Sequence, residues 1–387
     1  MFQLLYVAVF PIFWAAVHFP FVSPKSSEKD YLVRMYVRLD SVITEKYLDS
    51  YLADNSAGAY AWALSYLADS YLIMFKVLKD EVYLEKFQKI AEIILDKNDA
   101  RRRMPDYAGR IRWGWSATKY SKDKSRMVHF VHTGMILYPI LKFCTMKSEW
   151  EKLSDAKNYN KLKDDILETA KNCISEFENQ WVFNNYTGEG YYMWEGNEPL
   201  TANLTYEPPL NGQAAMGKSL ALLYRLTGEK FYLKKVQAIL QYYIHHVTAT
   251  RAGGLLWGYR ADLTRFKTPE DISHGAIEVE FALEAIRLGL LEKEFARKLA
   301  MTLLSLKKDN GFAQYLDGSE KYASDADREM YSLQAGRWLG LCAWDCRVYD
   351  AVYSYYLSVL PSKKFVHPSG LLGVAYLIDG FDTCRKK

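Results

Sequence analysis

A chain of 387 residues is long enough for two or three average domains or for one large closed fold of repeated helices. Half of its residues are hydrophobic, and its net charge of +4 comes from acidic and basic residues that are mixed along the sequence. A phosphate-binding face needs clustered basic side chains, and no Lys/Arg block is longer than Arg101–Arg103. The composition therefore argues against nucleic acid as a partner.

Aromatic residues are unusually frequent, since Tyr 30, Phe 18 and Trp 10 make up 15% of the chain. Their rings are flat and apolar, and those of Tyr and Trp also carry a polar edge. Such rings suit core packing and also suit contact with the faces of sugars. This composition favours a carbohydrate ligand without selecting one.

The five cysteines include no CxxC pair, and their odd number excludes a fully paired intrachain set. Cys342 and Cys346 lie four residues apart on a predicted helix, which is a poor geometry for a disulfide between them. Most of the cysteines are expected to be small buried side chains.

The N-terminal segment is apolar and has no charged residue before Lys25. We predict that residues 1–24 are a signal peptide or membrane anchor and that residues 25–387 form a single catalytic domain. The basic start typical of such segments is missing, and the alternative is an apolar segment that docks on the core. A secreted, lumenal or periplasmic location is expected, with membrane contact only through this anchor.

From about residue 30 onward the sequence predicts one helix after another. Apolar residues recur at three- and four-residue spacing, and no convincing run of alternating strands is present. The clearest segments are Tyr60–Leu78, Met127–Phe143, Gln213–Leu226, Phe231–Ile244, Glu278–Leu291 and Glu294–Leu306. The pattern indicates an all-α fold.

Two of these regions look like copies of one unit. Residues Tyr71–Ile94 align without a gap with Leu220–Tyr243. Each has an apolar helix, a turn with a charged pair, and then Tyr-Leu-x-Lys at the start of a second helix, at Tyr83–Lys86 and Tyr232–Lys235. This pattern is typical of a helical hairpin that is used more than once.

Loops that begin with glycine and continue with aromatic residues separate the predicted hairpins. They are Gly109–Trp115, Gly190–Trp194, Gly254–Tyr259 and Gly311–Tyr315. If alternate helices form an inner ring, these loops emerge at the same end of it and line one cleft. The alternative is an open solenoid of helix pairs that serves as a binding scaffold.

Hairpins of the type "LxxLYRLTGEKFYL", joined by glycine-aromatic loops, resemble the (α/α) toroid superfamily of carbohydrate-active enzymes. This superfamily includes six-hairpin glycosidases, toroid polysaccharide lyases and the helical domain of glucuronyl epimerases. The resemblance covers roughly residues 30–380. It implies an (α/α)6 or (α/α)7 toroid and a carbohydrate substrate, but its generic motifs do not select a reaction.

The stretch Pro269–Gly275, "PEDISHG", is the first candidate site. Asp271 or Ser273 can accept hydrogen bonds from the free N–H groups at a helix start, which is worth about 1 kcal/mol. One cap does not need Glu270, Asp271 and His274 together, however. We predict that His274 faces the cleft and acts on substrate, whereas Asp271 mainly caps the helix and orients the loop.

A second candidate is the stretch Arg103–Tyr120, in which Arg and Trp alternate around Gly109–Trp115 and which ends with Lys119 and Tyr120. An Arg can bind a sugar carboxylate with two hydrogen bonds while a Trp stacks on the ring, although a plain surface loop would also carry these residues. The predicted substrate contacts are Arg110, Arg112, Trp113, Trp115, His132, Tyr192, Trp194, Trp257 and Glu270.

His129 and His132 lie three residues apart on one helical face. One is expected in the cleft and the other buried with a hydrogen-bond partner. A zinc site would need a third ligand at a recognisable spacing, and the sequence offers none. No metal and no cofactor are predicted.

Two chemistries compete for the site. A hydrolase needs two carboxylates across the scissile bond, for which Glu270 or Asp271 could pair with Asp106, Glu207 or Asp327. A lyase that acts on uronates needs groups that neutralise the substrate carboxylate, together with a Tyr or His that moves the proton at C5. The catalytic candidates for that reaction are His274, Tyr259, Asn211, Arg260 and Asp271, although Asn211 could instead cap a helix.

The predicted function is a polysaccharide lyase that cleaves a uronate-containing acidic polysaccharide by β-elimination. A six-hairpin glycoside hydrolase with paired carboxylates, an epimerase and a non-catalytic glycan-binding toroid are the alternatives. The order Asn, Tyr, Arg, His differs from the arrangement in the lyases that the chain resembles, so the roles rest on residue type. The expected partner is an acidic polysaccharide or oligosaccharide.

Overall fold

The structure is a computed structural model that describes residues 28–201, 204 and 206–385, without the side chains of Thr264 and Phe266. The predicted signal peptide or anchor, residues 1–24, lies outside the described residues. Within the described ranges, every helix is too short or too polar to span a membrane.

The described chain is built almost entirely from helices. In chain order, the α-helices are α1 (Glu28–Lys46), α2 (Leu48–Ala53), α3 (Ser65–Leu78), α4 (Glu81–Asp96), α5 (Asp99–Arg102), α6 (Phe130–Thr145), α7 (Lys147–Trp150), α8 (Ala156–Ser175), α9 (Leu210–Thr227), α10 (Lys230–His245), α11 (Leu263–Phe266), α12 (Ile272–Arg287), α13 (Lys293–Ser305), α14 (Asp325–Leu333), α15 (Cys346–Val359) and α16 (Pro368–Cys384). A π-helical turn, Tyr60–Leu64, leads into α3, and a 3-10 helix, Gln334–Ala343, continues α14. Shorter 3-10 turns lie at Glu178–Gln180 and Leu360–Ser362.

Three short antiparallel hairpins complete the secondary structure of the described residues. They pair β1 (Trp181–Phe183) with β2 (Gly190–Tyr192), β3 (Thr248–Ala249) with β4 (Leu255–Leu256), and β5 (Lys307–Lys308) with β6 (Gly311–Phe312). Each hairpin lies in a connection between two long helices and is too short to form a layer of its own.

Six inner helices close into a ring. They are α3, α6, α9, α12, the 3-10 helix Gln334–Ala343 and α16, and each packs against the next, with α16 packing back on α3. The helices α1, α4, α8, α10, α13 and α15 alternate with them along the chain and form the outer layer. The fold is therefore an (α/α)6 toroid. This confirms the closed toroid and fixes the number of hairpins at six.

The sequence pattern explains which helices lie inside. Inner helices such as α6 and α9 are buried around most of their circumference, whereas outer helices such as α4 and α8 bury one stripe. Small residues let the inner helices approach closely. A Cβ added to Gly134 of α6 would lie 2.5 Å from the backbone of Ala215 in α9, so glycine is required at this contact.

The repeated unit seen in the sequence corresponds to two inner-outer hairpins. Residues Tyr71–Ile94 cover the end of α3 and most of α4, and Leu220–Tyr243 cover the end of α9 and most of α10. All four glycine-aromatic loops lead from an outer helix into the next inner helix. They therefore lie at one end of the ring, where the inner helices have their N-termini, and we call this end the mouth.

A buried ionic network lies inside the ring, below the mouth. Glu280 of α12 binds Lys218 of α9, and its other oxygen is 3.4 Å from Arg337 of the 3-10 helix. Arg337 also donates to the carbonyl of Ser273, with 2.9 Å between the atoms. These contacts link three inner helices and connect the network to the first turn of α12.

A disulfide joins the last two helices of the ring. Cys346 at the start of α15 is bonded to Cys384 at the end of α16, with a sequence separation of 38. The other three cysteines, Cys144, Cys173 and Cys342, are free and buried. The expectation of small buried side chains therefore holds for three of the five.

Candidate active site

Two cavities at the mouth form one cleft. The first has a volume of about 350 Å³ and the second about 360 Å³. Trp62, Tyr120 and His274 line both cavities and stand between them. We refer to the two cavities together as the mouth cleft. Its walls come from all six inner helices or the loops that lead into them, so it lies on the ring axis.

His274 stands at the centre of this cleft on a fixed support. Asp271 is the N-cap of α12, and its Oδ1 accepts from the backbone N–H groups of Ser273 and His274 at 2.8 and 3.0 Å. Its Oδ2 is 2.6 Å from Nδ1 of His274. The same carboxylate therefore caps the helix and orients the imidazole, so that Nε2 is the ring nitrogen left for the cleft.

The pKa values of this pair move in opposite directions. Burial disfavours the charged form of His274, but Asp271 outweighs it and raises the pKa of His274 above its ordinary value. Burial likewise opposes ionisation of Asp271, and His274 with the two helix N–H groups holds the pKa of Asp271 below its ordinary value. The two groups form an ion pair at mildly acidic pH, and His274 is a stronger base than a free imidazole.

Tyr259, Arg260 and Asn211 complete the first cavity. The rings of Tyr259 and His274 are 5.5 Å apart, close enough for one sugar unit to contact both. Arg260 donates to the carbonyl of Glu207 and lies over the ring of Tyr206. Asn211 is in the first turn of α9, but Pro209 is the N-cap of that helix, so Asn211 does not serve as the cap.

Tyr259 is protonated over the whole physiological range. Burial, followed by the nearby carboxyl of Glu270, raises the pKa of Tyr259 above its ordinary value. The hydroxyl can therefore give a proton to a leaving oxygen. The catalytic candidates Asn211, Tyr259, Arg260, Asp271 and His274, although spread over 64 positions of sequence (211 to 274), all lie along the mouth cleft.

Two further carboxyl groups lie behind His274 and outside the cleft. Glu270 and Glu278 are both fully buried, with 0% exposure. Burial, followed by the charge of the other carboxyl, raises the pKa of Glu270 well above its ordinary value, and burial raises the pKa of Glu278 to about 7. Glu270 was predicted to contact substrate, but its burial prevents direct contact.

The loop with alternating Arg and Trp does not reach the cleft. Arg112 is 3% exposed and pairs with Glu176 and Glu195 at 3.0 and 3.1 Å. Arg110 pairs with Asp106 and Glu195 at 2.9 and 2.8 Å. Carboxylates of the protein itself already occupy both guanidinium groups. The prediction that these two side chains bind a substrate carboxylate is therefore wrong in this structure.

Most of the predicted aromatic contacts are core residues. Trp115, Tyr192 and Trp257 are almost fully buried, and Trp113 is half-buried against the core. Trp115 donates to the carbonyl of Ile94 at 2.7 Å, and Trp257 stacks on Trp338. Closure of the ring buries these side chains under the loops that carry them. Among the predicted aromatic contacts, Trp194 does line the first cavity, where it packs against Phe130.

The two histidines at the start of α6 differ from the prediction, which placed His132 in contact with substrate. His129, the N-cap residue, lines the first cavity. His132 is fully buried, and its Nε2 accepts from the indole N–H of Trp62 at 3.0 Å. Burial lowers the pKa of His129 to about 4 and holds that of His132 well below its ordinary value, so both are neutral. His132 therefore does not contact substrate.

Trp62 and Tyr120 line the cleft but were not among the predicted substrate contacts, although Tyr120 belongs to the second candidate stretch, Arg103–Tyr120. Trp62 lies in the π-helical turn before α3, inside a long apolar run that predicts only core packing. Tyr120 has a positive φ of 76°, which is uncommon for a tyrosine, and is exposed at the partition between the cavities. Its signal in the sequence was its place in the aromatic loop, five residues after Trp115.

Carboxylates are scarce in the mouth cleft. Among the described side chains that line the two cavities, Asp271 is the one carboxylate, and it is held by the helix N–H groups and His274. Asp106 is buried in its pair with Arg110, and neither Glu207 nor Asp327 lines either cavity. The sequence outside the described ranges contains no Asp or Glu that could supply a second one.

Comparison with known proteins agrees with the fold. No family profile matches the chain, and no curated protein matches it by sequence. The GH76A α-1,6-mannanase from Salegentibacter sp. HEL1_6 is similar in structure, with a TM-score of 0.55 and 11% identity over 92% of this chain and 100% of the mannanase. The chain has the fold of the (α/α)6 toroid carbohydrate-active proteins.

Two other solved structures share this toroid. A polysaccharide lyase has a TM-score of 0.55 and 12% identity, over 91% of this chain and 97% of the lyase. The cellobiose 2-epimerase from Spirochaeta thermophila DSM 6192 has a TM-score of 0.52 and 14% identity, over 92% of this chain and 98% of the epimerase. A hydrolase, a lyase and an epimerase thus share the architecture, so the fold leaves the reaction open.

Proposed function

We propose that the protein is a carbohydrate-active enzyme and, within that class, a polysaccharide lyase that cleaves a uronate-containing acidic polysaccharide by β-elimination. The observation that carries the proposal is the convergence of Asn211, Tyr259, Arg260 and His274 on one cavity without a free carboxylate among the described side chains. These residue types suit proton removal beside a carboxylate better than they suit hydrolysis.

Each group has a role in the proposed elimination. Arg260 and the Asn211 amide bind the uronate carboxylate and stabilise the negative charge that develops when C5 loses its proton. Nε2 of His274 accepts that proton. The C4–O4 bond breaks as the C4–C5 double bond forms, and Tyr259 donates its hydroxyl proton to O4. All atoms and charges balance without a cofactor.

The chain contributes the basicity that this step requires. The proton at C5 of a uronate is weakly acidic, so a stronger base and a neutralised carboxylate both lower the barrier. Asp271 raises the proton affinity of His274 and fixes its tautomer through the 2.6 Å contact at Nδ1. Trp194 and Phe130 provide the apolar wall on which the sugar ring would lie.

A glycoside hydrolase is the second candidate, because Glu270 and Asp271 are neighbouring acids at the mouth. Variants of the similar mannanase with two neighbouring aspartates replaced by asparagine or alanine are inactive, and these variants were solved with α-1,6-mannotriose and α-1,6-mannotetraose. An equivalent role here would require Glu270 to become exposed. The 0% exposure of Glu270 therefore supports the lyase over the hydrolase.

We further propose that the protein works outside the cytoplasm. The disulfide between Cys346 and Cys384 is of the kind that forms and persists in oxidising compartments. The apolar residues 1–24 are compatible with export. Fractionation of cells that express the full chain would test this location.

A substrate panel tests the function. The full chain is incubated with alginate, glucuronan, pectin and glycosaminoglycans, and ultraviolet absorbance of the unsaturated uronate is followed together with new reducing ends. The lyase gives both signals with at least one acidic polymer. Reducing ends without the ultraviolet signal would establish the hydrolase instead, and neither signal on the panel would contradict the proposal and favour a binding protein.

Matched variants show whether the activity comes from the mouth cleft. His274→Ala should abolish most of the signal, whereas His245→Ala changes an exposed histidine at the end of α10 and should leave it unchanged. Arg260→Ala should weaken the reaction on acidic polymers, with Arg347→Ala on α15 as its control. Equal losses in the controls would show that the activity does not depend on the cleft.

A further inference from the structure

Two buried acids behind His274 have no role in the proposed elimination. Glu270 precedes α12 and Glu278 lies one helical turn beyond His274 on the same face. Oε2 of Glu270 and both carboxyl oxygens of Glu278 are buried without a hydrogen-bond donor among the described residues. The remaining oxygen of Glu270 accepts from the backbone N–H of Asp271 at 3.0 Å.

The two carboxyl groups interact with each other, and in the described ranges no Lys or Arg forms an ion pair with either of them. A side-chain hydrogen bond between them is among the causes that act on the pKa of both groups. The nearest basic atom is Nδ1 of His274, 3.7 Å from Oε1 of Glu270, and Asp271 already binds that nitrogen at 2.6 Å. The pair therefore cannot rely on an ion pair to offset the cost of burial.

Groups from several elements face this pair. They are Asp271 and His274 from the first turn of α12, Tyr259 from the loop after β4 and Tyr243 from α10, while Arg337 of the 3-10 helix acts on His274. Arg337 is taken up by Glu280 and the carbonyl of Ser273. The tyrosines are neutral, so His274 is the titratable cation that responds to the charge of the pair.

We propose that Glu270 and Glu278 share one proton, and that the resulting single negative charge, buried behind His274, adds to the proton affinity that Asp271 gives this residue. A hydrogen bond between two carboxyl groups requires a proton between them, because two carboxylates offer only acceptors and repel each other. Glu270 and Glu278 are then positioning residues that act through His274 and do not touch substrate.

The direction of the titration agrees with this geometry. Burial raises the pKa of both groups, that of Glu278 to about 7 and that of Glu270 well above its ordinary value. The proposal therefore places one proton and one negative charge on the pair above about pH 7, where Glu278 would otherwise ionise beside Glu270. The negative charge of Glu278 also favours the protonated form of His274.

The shared proton makes an unusual prediction for glutamine variants. In Glu278→Gln the amide N–H takes the place of the shared proton, so Glu270 stays ionised and the total charge remains one. Glu270→Gln keeps the same charge by the same argument. Only the double variant, Glu270→Gln with Glu278→Gln, removes the charge while preserving the hydrogen bond and the shape.

The experiment is an NMR titration of His274 in the full chain with labelled histidines. The pH range starts at about 7 and extends until the imidazole is fully deprotonated. His274→Ala identifies the signal among the seven histidines. We expect each single variant to titrate like the native protein and the double variant to titrate at clearly lower pH. Glu294→Gln, which removes an exposed charge on α13, is the control.

Two results would overturn the proposal. A lower titration in each single variant would mean that both carboxyls are ionised in the native protein. An unchanged titration in the folded double variant would mean that the pair is uncharged. If the double variant does not fold, infrared spectra of the single variants decide. Above about pH 7 the carbonyl band of protonated buried carboxyls should be weaker in both single variants than in the native protein, and Glu198, whose pKa burial also raises to about 7, accounts for the band that remains. A band of native intensity in either variant would contradict proton sharing.

The effect of the Glu270–Glu278 pair on catalysis rests on the proposed function, whereas proton sharing itself does not. If the protein is a lyase with His274 as base, the double variant should need a lower pH for half-maximal rate, and the single variants should not. The NMR and infrared results do not involve turnover. Failure of proton sharing can therefore be distinguished from failure of the lyase proposal.

Discussion

Replacing Asp271 tests whether one carboxylate both caps α12 and supports His274. Asp271→Asn keeps the oxygen that accepts from the N–H groups of Ser273 and His274, because asparagine caps helices as well as aspartate does. Asp271→Ala loses this cap as well as the charge. The two variants should therefore differ by about 1 kcal/mol in the free energy of unfolding at any pH.

The charge adds a contribution that depends on pH. A hydrogen bond to a charged group contributes about 1.5–3 kcal/mol, and the 36% exposure of His274 reduces this to roughly 1 kcal/mol by solvent screening. The raised pKa of His274 means that this stabilisation is complete below the unfolded value and is lost as pH rises through the folded value. The lowered pKa of Asp271 means that it is also lost as pH falls through the folded value of the carboxyl.

Asp271→Asn should consequently be less stable than the native protein by about 1 kcal/mol between roughly pH 4 and 6.5, and almost equal to it in alkaline solution. Its activity should fall by about 100-fold or more at every pH. The asparagine amide donates to Nδ1 of His274 and forces the imidazole proton onto Nε2, which can then no longer accept a proton.

The assay combines chemical denaturation at mildly acidic and alkaline pH with turnover on the best substrate of the panel. His274→Ala should lose about 100-fold in turnover with nearly unchanged stability in alkaline solution. Native activity in Asp271→Asn, or an equal stability loss at both pH values, would refute the dual role of Asp271. An inactive, fully stable Asp271→Ala beside a mildly affected His274→Ala would make the carboxylate catalytic.

Four other predictions follow from named contacts. Glu280→Gln should lower the free energy of unfolding by about 3–5 kcal/mol in a denaturation assay, because Lys218 and Arg337 lose their buried counter-charge. The control Glu294→Gln should change it by less than about 0.5 kcal/mol. Replacing Cys346 and Cys384 by serine should cost about 4 kcal/mol from the lost loop constraint, and reductant should lower the melting temperature of the native protein alone. Arg112→Ala should lower the melting temperature and leave KM unchanged, because Arg112 binds Glu176 and Glu195 rather than substrate; a raised KM in a stable variant would restore the substrate role. The native rate should rise with pH through a pKa above about 6.5, because His274 must be neutral to accept a proton and Asp271 raises the pKa of His274. A rate that falls as pH rises through this range would contradict the role of His274 as base.

The architecture could be predicted from the sequence because it depends on local patterns. Apolar spacing located the helices, the repeated hairpin indicated inner and outer layers, and the glycine-aromatic loops marked the mouth. The stretch Pro269–Gly275 stood out because three polar residues exceeded what one cap requires. Its detailed geometry, with Asp271 as the cap and His274 in the cleft, follows from the first turn of an inner helix.

Other parts of the site depend on contacts between distant residues. The partners of Arg112 are Glu176 and Glu195, 64 and 83 positions away, so the sequence could not show that its charge is already bound. Trp194 and Trp257 occur in similar loops, yet only Trp194 reaches the cleft because ring closure buries Trp257 against Trp338. Glu278 lies in an apolar run, and its proximity to Glu270 depends on how the loop enters α12.

The most direct test of the central claim is mass spectrometry of products formed in oxygen-18-labelled water. β-Elimination breaks the C4–O4 bond without adding water, so a lyase should give an unsaturated product that carries no label from the solvent. Hydrolysis adds one water molecule across the glycosidic bond. A saturated product with one labelled oxygen per cleaved bond, formed by the native protein and absent with His274→Ala, would contradict the lyase and place the reaction among the hydrolases.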